Sequence, residues 1–283
     1  MDVRWRRTLL NHFPAALTDK PVAEWASAIT VRRSVRTFTG QPVGAGALGD
    51  LRDFCAGLPG TSVARIVVAE EVPPDLFTGV IIGSYGRVVG ARSALVVIGR
   101  SEARAVQESM GYLGEAALLQ ATAMGLGTCW IAGSFKREIA SKLAEVGEDE
   151  QIFAVSPVGQ AEERPRRGER LLKAAVRAKK RRPIDDMASG FDADQWPDWA
   201  AEGARLARIA PSAANRQPWR FDVEPGAVTV SVVDRGVDGS ISRLLDVGIA
   251  MLHFEIGARL MGVAGVWQLL EPPAVARYQV GEG

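Results

Sequence analysis

Two cysteines, Cys55 and Cys129, and two histidines, His12 and His253, are all that 283 residues contain. The cysteines stand far apart with no Cys-x-x-Cys spacing, so neither a disulfide framework nor a thiolate zinc site is indicated. Two histidines are too few for a histidine-rich metal centre. Long hydrophobic runs are also missing, since stretches such as Ala94–Ile98 fall far short of a membrane span. The opening Met1-Asp2-Val3-Arg4-Trp5-Arg6-Arg7 has no apolar signal core, and the expected location is the cytoplasm.

What is present describes an ordinary globular chain able to bury a sizeable core, with 47% hydrophobic and 24% charged residues. The net charge is +1, but it is unevenly spread. Between Ala161 and Arg182 stand ten basic residues against three acidic ones. That run is open to three readings: a nucleic-acid patch, a phosphate clamp or a solvated linker. Aromatic residues are not interleaved with it and the rest of the chain compensates the charge, which argues against nucleic acid as a partner.

Short β-branched segments bounded by Gly, Pro or Asp predict strands at Arg65–Ala69, Ala94–Ile98, Ile152–Val155, Trp219–Val223 and Val228–Val233. Pro21 opens a helix whose apolar face is Val22, Trp25, Ala26 and Ile29, and which delivers the chain to Arg32. A second amphipathic helix runs from Trp196 to Ile209 and ends where Ala210-Pro211 must break it. Residues 110–124, with Glu115 the only charge, and residues 247–261 are apolar on nearly every face. Such helices belong at the centre of a soluble domain, packed on each other. The class predicted is α+β, with a mixed or antiparallel sheet flanked by helices.

The two central helices also resemble one another. Aligned without gaps, Gly111 matches Gly248, Ala121 matches Ala258, Met124 matches Met261, Gly125 matches Gly262 and Trp130 matches Trp267. Each window is a helix followed by a Gly stop. Similarly, Arg181-Arg182-Pro183-Ile184-Asp185 is a worn copy of Arg32-Arg33-Ser34-Val35-Arg36, with a carboxylate at its last position that repels phosphate. Two related halves are expected, residues 1–180 and 181–283, forming one compact unit.

Two segments carry the chemistry. Arg32, Arg33, Ser34 and Arg36 pack three guanidiniums and a hydroxyl into five residues, a donor set suited to a phosphate dianion. The alternative is a basic cluster complementing a helix C-terminus. Far along the chain, Ala210-Pro211-Ser212-Ala213-Ala214-Asn215-Arg216-Gln217-Pro218-Trp219 is a proline-bounded turn bearing small hydrogen-bonding side chains. Its plain reading is a helix-ending turn before a strand. Together the two segments resemble the flavin-binding signatures of the nitroreductase family, most closely its single-chain members.

That resemblance implies a nitroreductase-like fold, built here as a single-chain pseudo-dimer that has no need of a second copy. It implies FMN as cofactor, with its phosphate on Arg32, Arg33, Ser34 and Arg36, and with Pro211, Ser212, Ala213, Asn215 and Gln217 closing the site from the other half. Trp130, Ile131, Ala132 and Gly133 are implied to lie along the flavin ring, where glycine permits close backbone approach. More loosely, Arg87 and Ser84 match residues at the pyrimidine edge, and Arg167 and Arg170 match a second pair of phosphate cations. One complete site is assembled between the halves, because the first half lacks the Pro-Ser-x-x-Asn turn and the second has lost its phosphate cluster. The implied activity is electron transfer from NADH or NADPH to a small aromatic acceptor, a nitroaromatic or quinone, with no metal and no catalytic side chain. A flavin-binding storage or sensing protein without turnover, or other flavin chemistry on the same fold such as dehalogenation or dehydrogenation, stays open.

Overall fold

The protein is described by a computed structural model that covers Phe13 and residues 21–59, 63–77, 87–163, 180–190, 195–233, 237–238 and 241–281. Two long helices, α3 (Val106–Ala123) and α6 (Arg243–Leu260), cross at the centre, and nearly every residue of each is buried. What lets them touch is a pair of glycines. A Cβ on Gly111 would lie 2.0 Å from the carbonyl oxygen of Leu245, and one on Gly248 would lie 2.0 Å from that of Glu108. At this point the contact is reciprocal, since Gly111 and Gly248, and Glu108 and Leu245, stand at matching positions of the two helices. Both helices then stop alike, with Gly125 at φ 80° and Gly262 at φ 77° in the left-handed region that glycine accepts without strain. The amide of Leu126 bonds back to the carbonyl of Ala121, and that of Val263 to Ala258.

A sheet lies beyond each helix. The first has the order β1 (Ala64–Ala69), β2 (Ser93–Arg100), β4 (Glu150–Gly159) and β3 (Gly127–Thr128), all antiparallel. The second places β6 (Trp219–Glu224), β7 (Ala227–Val232), β11 (Ala274–Val280) and β10 (Gly265–Leu269) in the same order, and β5 (Ala188–Gly190) adds in parallel beside β6. A small ribbon, β8 (Val237–Asp238) with β9 (Ile241–Ser242), precedes α6. The sheets explain the strand composition. In β2 the residues Leu95 and Val97 face the central helices, while Ala94, Val96 and Ile98 face a second apolar cluster on the far side, so β2 is buried on both faces.

Outer helices complete the layers. Helix α1 (Val22–Val31) buries Trp25, Ala26, Ala28 and Ile29, and the Trp25 indole donates to Gln120 of α3 at 3.1 Å. Helix α5 (Asp198–Arg208) packs on α6, α2 (Ala45–Ala56) on the first sheet, and α4 (Arg137–Ala144) on the far side of that sheet. No helix among the described residues is long and apolar enough to cross a membrane.

The expected strands and central helices all form, and the class is α+β as predicted. The structure moves their ends. The strand expected at 152–155 extends over Glu150–Gly159, because Ser156 and Pro157 are paired with β2 although neither favours a strand. The helix expected from Trp196 begins at Asp198, since Pro197 sits at its N-cap with φ −56° and ψ 140°. Helices α2 and α4 and strands β10 and β11 were not foreseen. Gly46 and Gly49 dilute the pattern of α2, and Pro272 and Pro273 separate two strands whose apolar alternation is short.

Gly111→Ala is expected to force the helices apart and cost about 3 kcal/mol. Gly46→Ala, at an exposed helical position with nothing within 4 Å, is expected to stabilise by about 0.5–1 kcal/mol. Thermal melts of the two variants check this, and equal melting temperatures would remove the crossing as the critical contact.

Candidate functional site

Where α1 ends, Arg32 turns the chain into an extended course with φ −57° and ψ 133°. Ser34 then bridges in parallel to Thr128, Thr37 to Val89, and Phe38 antiparallel to Ala161. An extended chain alternates its side chains, so Arg32, Ser34 and Arg36 share one face and Arg33, Val35 and Thr37 the other. Val35 is buried against Gly127 and Thr37 is buried, whereas Arg33, nearer the helix end on the same face, is exposed; Ser34 and Arg36 are half-buried, and the Arg32 side chain is nearly enclosed.

The Gly-rich segment lies immediately beside this strand. Gly127 and Thr128 pair with Gly159 and Val158 of β4, the Cys129 amide bonds the Ser156 hydroxyl at 3.1 Å, and Ile131 exchanges both backbone bonds with Val155 at 2.9 Å. On its other side, the amide of Val35 bonds the Thr128 carbonyl at 2.8 Å. The structure therefore brings Arg32, Ser34 and Arg36 together with Thr128, Trp130 and Ile131. Ala132 is half-buried and Gly133 exposed at the mouth of the same turn.

A fully buried carboxylate organises the group. Glu115 of α3 accepts from the Trp130 indole at 2.6 Å, meets His253 Nε2 of α6 at 2.9 Å and pairs with Arg32 Nε at 3.5 Å. His253 Nδ1 lies 3.2 Å from the carbonyl of Leu206. Burial alone pushes the Glu115 carboxyl up. The hydrogen bond from His253, the charge of Arg32 and the indole N–H outweigh that and hold it below the usual carboxylate range. Gly114 makes room for the indole, as a Cβ there would meet the Trp130 ring at 2.4 Å.

Arg32 is left with unused capacity. Its side chain is only 7% exposed, and its Nη1 has no partner among the described residues. The hydroxyl of Thr128, beside Ser34, is likewise buried and unpartnered. Buried donors without acceptors are costly, and a guanidinium with two hydroxyls nearby fits an anionic oxygen. These residues therefore suit the phosphate of a nucleotide-like group.

The late turn is held by the segment that opens the second half. Arg181 donates to the Asn215 amide oxygen and to the carbonyl of Ile209 at 3.0 Å; the Asn215 Nδ2 donates to the Lys180 carbonyl at 2.8 Å. Gln217 is buried: its Oε1 accepts from the Arg182 amide at 3.0 Å, and its Nε2 donates to the carbonyls of Lys180 and Asn215. The Gln217 amide caps onto the Ser212 hydroxyl at 3.0 Å, while the Ala213 amide and Arg216 both bond Asp246 of α6. Ala214, Asn215 and Gln217 all take positive φ, near +50°, a conformation that non-glycine residues adopt at a cost. Asn215 and Gln217 thus brace the turn from within. Pro211, Ser212 and Ala213 are half-buried along its rim.

Other sequence candidates fall elsewhere. Arg87 is exposed and lines a cavity of about 630 Å³ with Gly40, Glu71, Val72, Phe77 and Arg92, while Val89, two residues on, bonds back to the Arg36 carbonyl. Ser84, Arg167 and Arg170 lie outside the described residues. Cys129 is buried and serves packing, and burial pushes the Cys55 thiol up to about 12. Sequence reasoning missed Thr128, His253 and Arg181 as members of the site. Glu115 had left a signal as the only charge in an otherwise apolar stretch.

A central helix pair between two sheets, with a basic strand laid beside a Gly-rich turn, is an α+β architecture of nitroreductase fold. Residues 24–258 match the model of the family described as "Putative TM nitroreductase", and the chain belongs to that family. It resembles the crystal structure of a "putative nitroreductase" from Thermotoga maritima MSB8, with TM-score 0.58 and 22% identity over 91% of this chain and 94% of that one. An FMN-dependent nitroreductase from Clostridium difficile R20291 matches at TM-score 0.41 and 18% identity, over 49% of this chain and 88% of its own. A "Putative NADH dehydrogenase/NAD(P)H nitroreductase" from Parabacteroides distasonis ATCC 8503 matches at TM-score 0.42 and 21% identity, over 50% and 89%. The last two TM-scores are too low to extend the likeness further. No curated protein matches the chain.

Because its folded pKa is depressed, Glu115 contributes stability above about pH 4.5 that is lost as pH falls below that value. Glu115→Gln is expected to cost about 3 kcal/mol at pH 7, and its deficit relative to the unaltered chain should shrink between pH 5 and pH 3. Denaturant titrations across that range check the sign; a deficit independent of pH would mean that the carboxylate charge is not what the network uses.

Proposed function

We propose that the protein is an FMN-dependent oxidoreductase that moves electrons from NADH or NADPH to a small aromatic acceptor such as a nitroaromatic or a quinone. The observations that carry this reading are the buried, unpartnered Nη1 of Arg32, whose side chain shares a strand face with Ser34 and Arg36, and the buried, unpartnered hydroxyl of Thr128, the bridge partner of Ser34. Family membership supports it.

In this reading Arg32, Ser34 and Arg36 hold the phosphate of FMN, and Arg33 supplies long-range charge from the surface. The backbone from Trp130 to Gly133 forms the wall along the ring, with Ile131 pinned to β4 so that the wall does not move. Trp130 cannot swing away, because Glu115 holds its indole and Gly114 receives its ring. The rim formed by Pro211, Ser212 and Ala213, braced by Asn215 and Gln217, closes the site from the second half of the chain. Bound there, FMN supplies two-electron chemistry between a nicotinamide donor and the acceptor. No side chain is assigned as a proton donor or nucleophile; the protein orients the group and sets its electrostatic surroundings.

The same reading treats residues 1–180 and 181–283 as fused, diverged halves of one pseudo-dimer carrying a single cofactor and working as a monomer. It is supported by the shared strand order of the two sheets and by the reciprocal contact of Gly111 and Gly248.

The purified protein is expected to be yellow, or to become so with added FMN, and to oxidise NADH or NADPH when a nitroaromatic or quinone is supplied. Ser34→Ala and Arg36→Ala are each expected to weaken FMN by about 10- to 100-fold, the loss of one charge-assisted bond. A colourless sample that takes up no FMN would overturn the assignment. Flavin binding without consumption of NADH or NADPH would make it a flavin-binding storage or sensing protein.

A further inference from the structure

One guanidinium stands between the two ends of the candidate site. Arg32 turns its Nε toward Glu115 at 3.5 Å, while its Nη1, also buried, has no partner among the described residues. Glu115 in turn accepts from the Trp130 indole at 2.6 Å. Arg32, Glu115 and Trp130 thus run in unbroken contact from the strand that carries Ser34 and Arg36 to the turn that carries Ile131 and Gly133. The links differ in tightness. The carboxylate is fixed, since it has no exposed surface and His253 Nε2 holds it from α6 at 2.9 Å. Its bond to the indole is short, as hydrogen bonds to an ionised acceptor are. The pairing with Arg32 is the loose one, because 3.5 Å is long for a hydrogen bond and the guanidinium still carries a buried nitrogen with nothing to bind. A buried donor without an acceptor is a standing cost, so Arg32 is the member of the chain that an arriving anionic oxygen orders.

Resting on the FMN reading above, we infer that Arg32 is a positioning residue for the ring wall: an anion on its Nη1 fixes the guanidinium against Glu115, Glu115 then fixes the Trp130 indole, and occupancy of the phosphate end thereby strengthens binding of the flavin ring at the other end. The guanidinium suits this double duty, because its donors lie in one rigid plane and an anion that aligns Nη1 also aligns Nε. Coupling of this kind is reciprocal, so a ring seated on Trp130 tightens phosphate by the same factor. The indole is in position to respond. Trp130 is half-buried, and its ring lies where a Cβ on Gly114 would meet it at 2.4 Å, so the Glu115 bond and that close packing together set its angle. Arg36 supplies the comparison: it shares the strand face of Arg32 but is not among the partners of Glu115.

The test uses the full-length chain with three probes: FMN, inorganic phosphate, and lumiflavin, which keeps the isoalloxazine ring and has a methyl group in place of the ribityl phosphate. In the unaltered chain, millimolar phosphate at constant ionic strength is expected to tighten lumiflavin by about 5- to 10-fold, read from the quenching of flavin fluorescence. Arg36→Ala is expected to move that response to higher phosphate concentration and to keep its full size. Arg32→Met is expected to remove it, and so is Trp130→Phe, which keeps a ring and loses the indole N–H. An Arg32→Met chain that retains the full response would show that Arg32 touches the phosphate end alone and would overturn the inference. Should the variants fail to fold, the unaltered chain decides by itself: lumiflavin that binds equally with and without phosphate, or in neither case, overturns the inference. If FMN binds in that experiment, the cofactor reading stands without it; a chain that binds no FMN overturns that reading and the inference together.

Discussion

Two helix backbones in contact at Gly111 and Gly248 set the terms for everything around them. With no side chain at the crossing, α3 and α6 approach closely enough that residues one turn away face each other in a dry interior. Glu115 and His253 are such residues. A carboxylate placed there must be fully partnered, and the partners available are the indole of Trp130 and the guanidinium of Arg32. Each of these begins a segment of the candidate site. The crossing thus reaches the site through the need to satisfy one buried charge.

The buried carboxylates of the interior are tied up by specific partners. Asp246 bonds Arg216 and the Ala213 amide, and Glu255 bonds Tyr112 and Arg259. Glu115 is shared among three donors, Trp130, His253 and Arg32. The unequal wear of the two halves follows the same logic. Serine and the last arginine remain only at residues 34 and 36, and the proline-bounded turn only at 211–217, so one place in the molecule gathers a full set of donors.

Much of the fold was legible because burial leaves a periodic trace. The unbroken apolar run at β2 announces a strand covered on both faces, and helices apolar all round announce a centre. The positions matched between the two windows turned out to be structural ones: Gly111 and Gly248 meet at the crossing, and Gly125 and Gly262 end the helices. Helices α2 and α4 left weaker traces, since only three residues of one and two of the other are buried. In the site, Arg32, Ser34 and Arg36 were legible from composition. Arg33 was grouped with them because a list of residues does not display parity, which appears once the segment is seen to run extended.

The amino-acid order alone determined which residue types are available: guanidiniums with a hydroxyl early, a proline-bounded turn late, small residues where two helices must touch. Those are local properties, written in spacing and side-chain chemistry. Tertiary structure decided which of them act together. Thr128 became Ser34's neighbour through a bridge between segments far apart in the chain, His253 reached Glu115 across the helix crossing, and Asn215 turned inward to hold Arg181. The physical reason is that a hydrogen bond or a charge pair is settled by distance in space, and only the packing of the helices and sheets sets that distance.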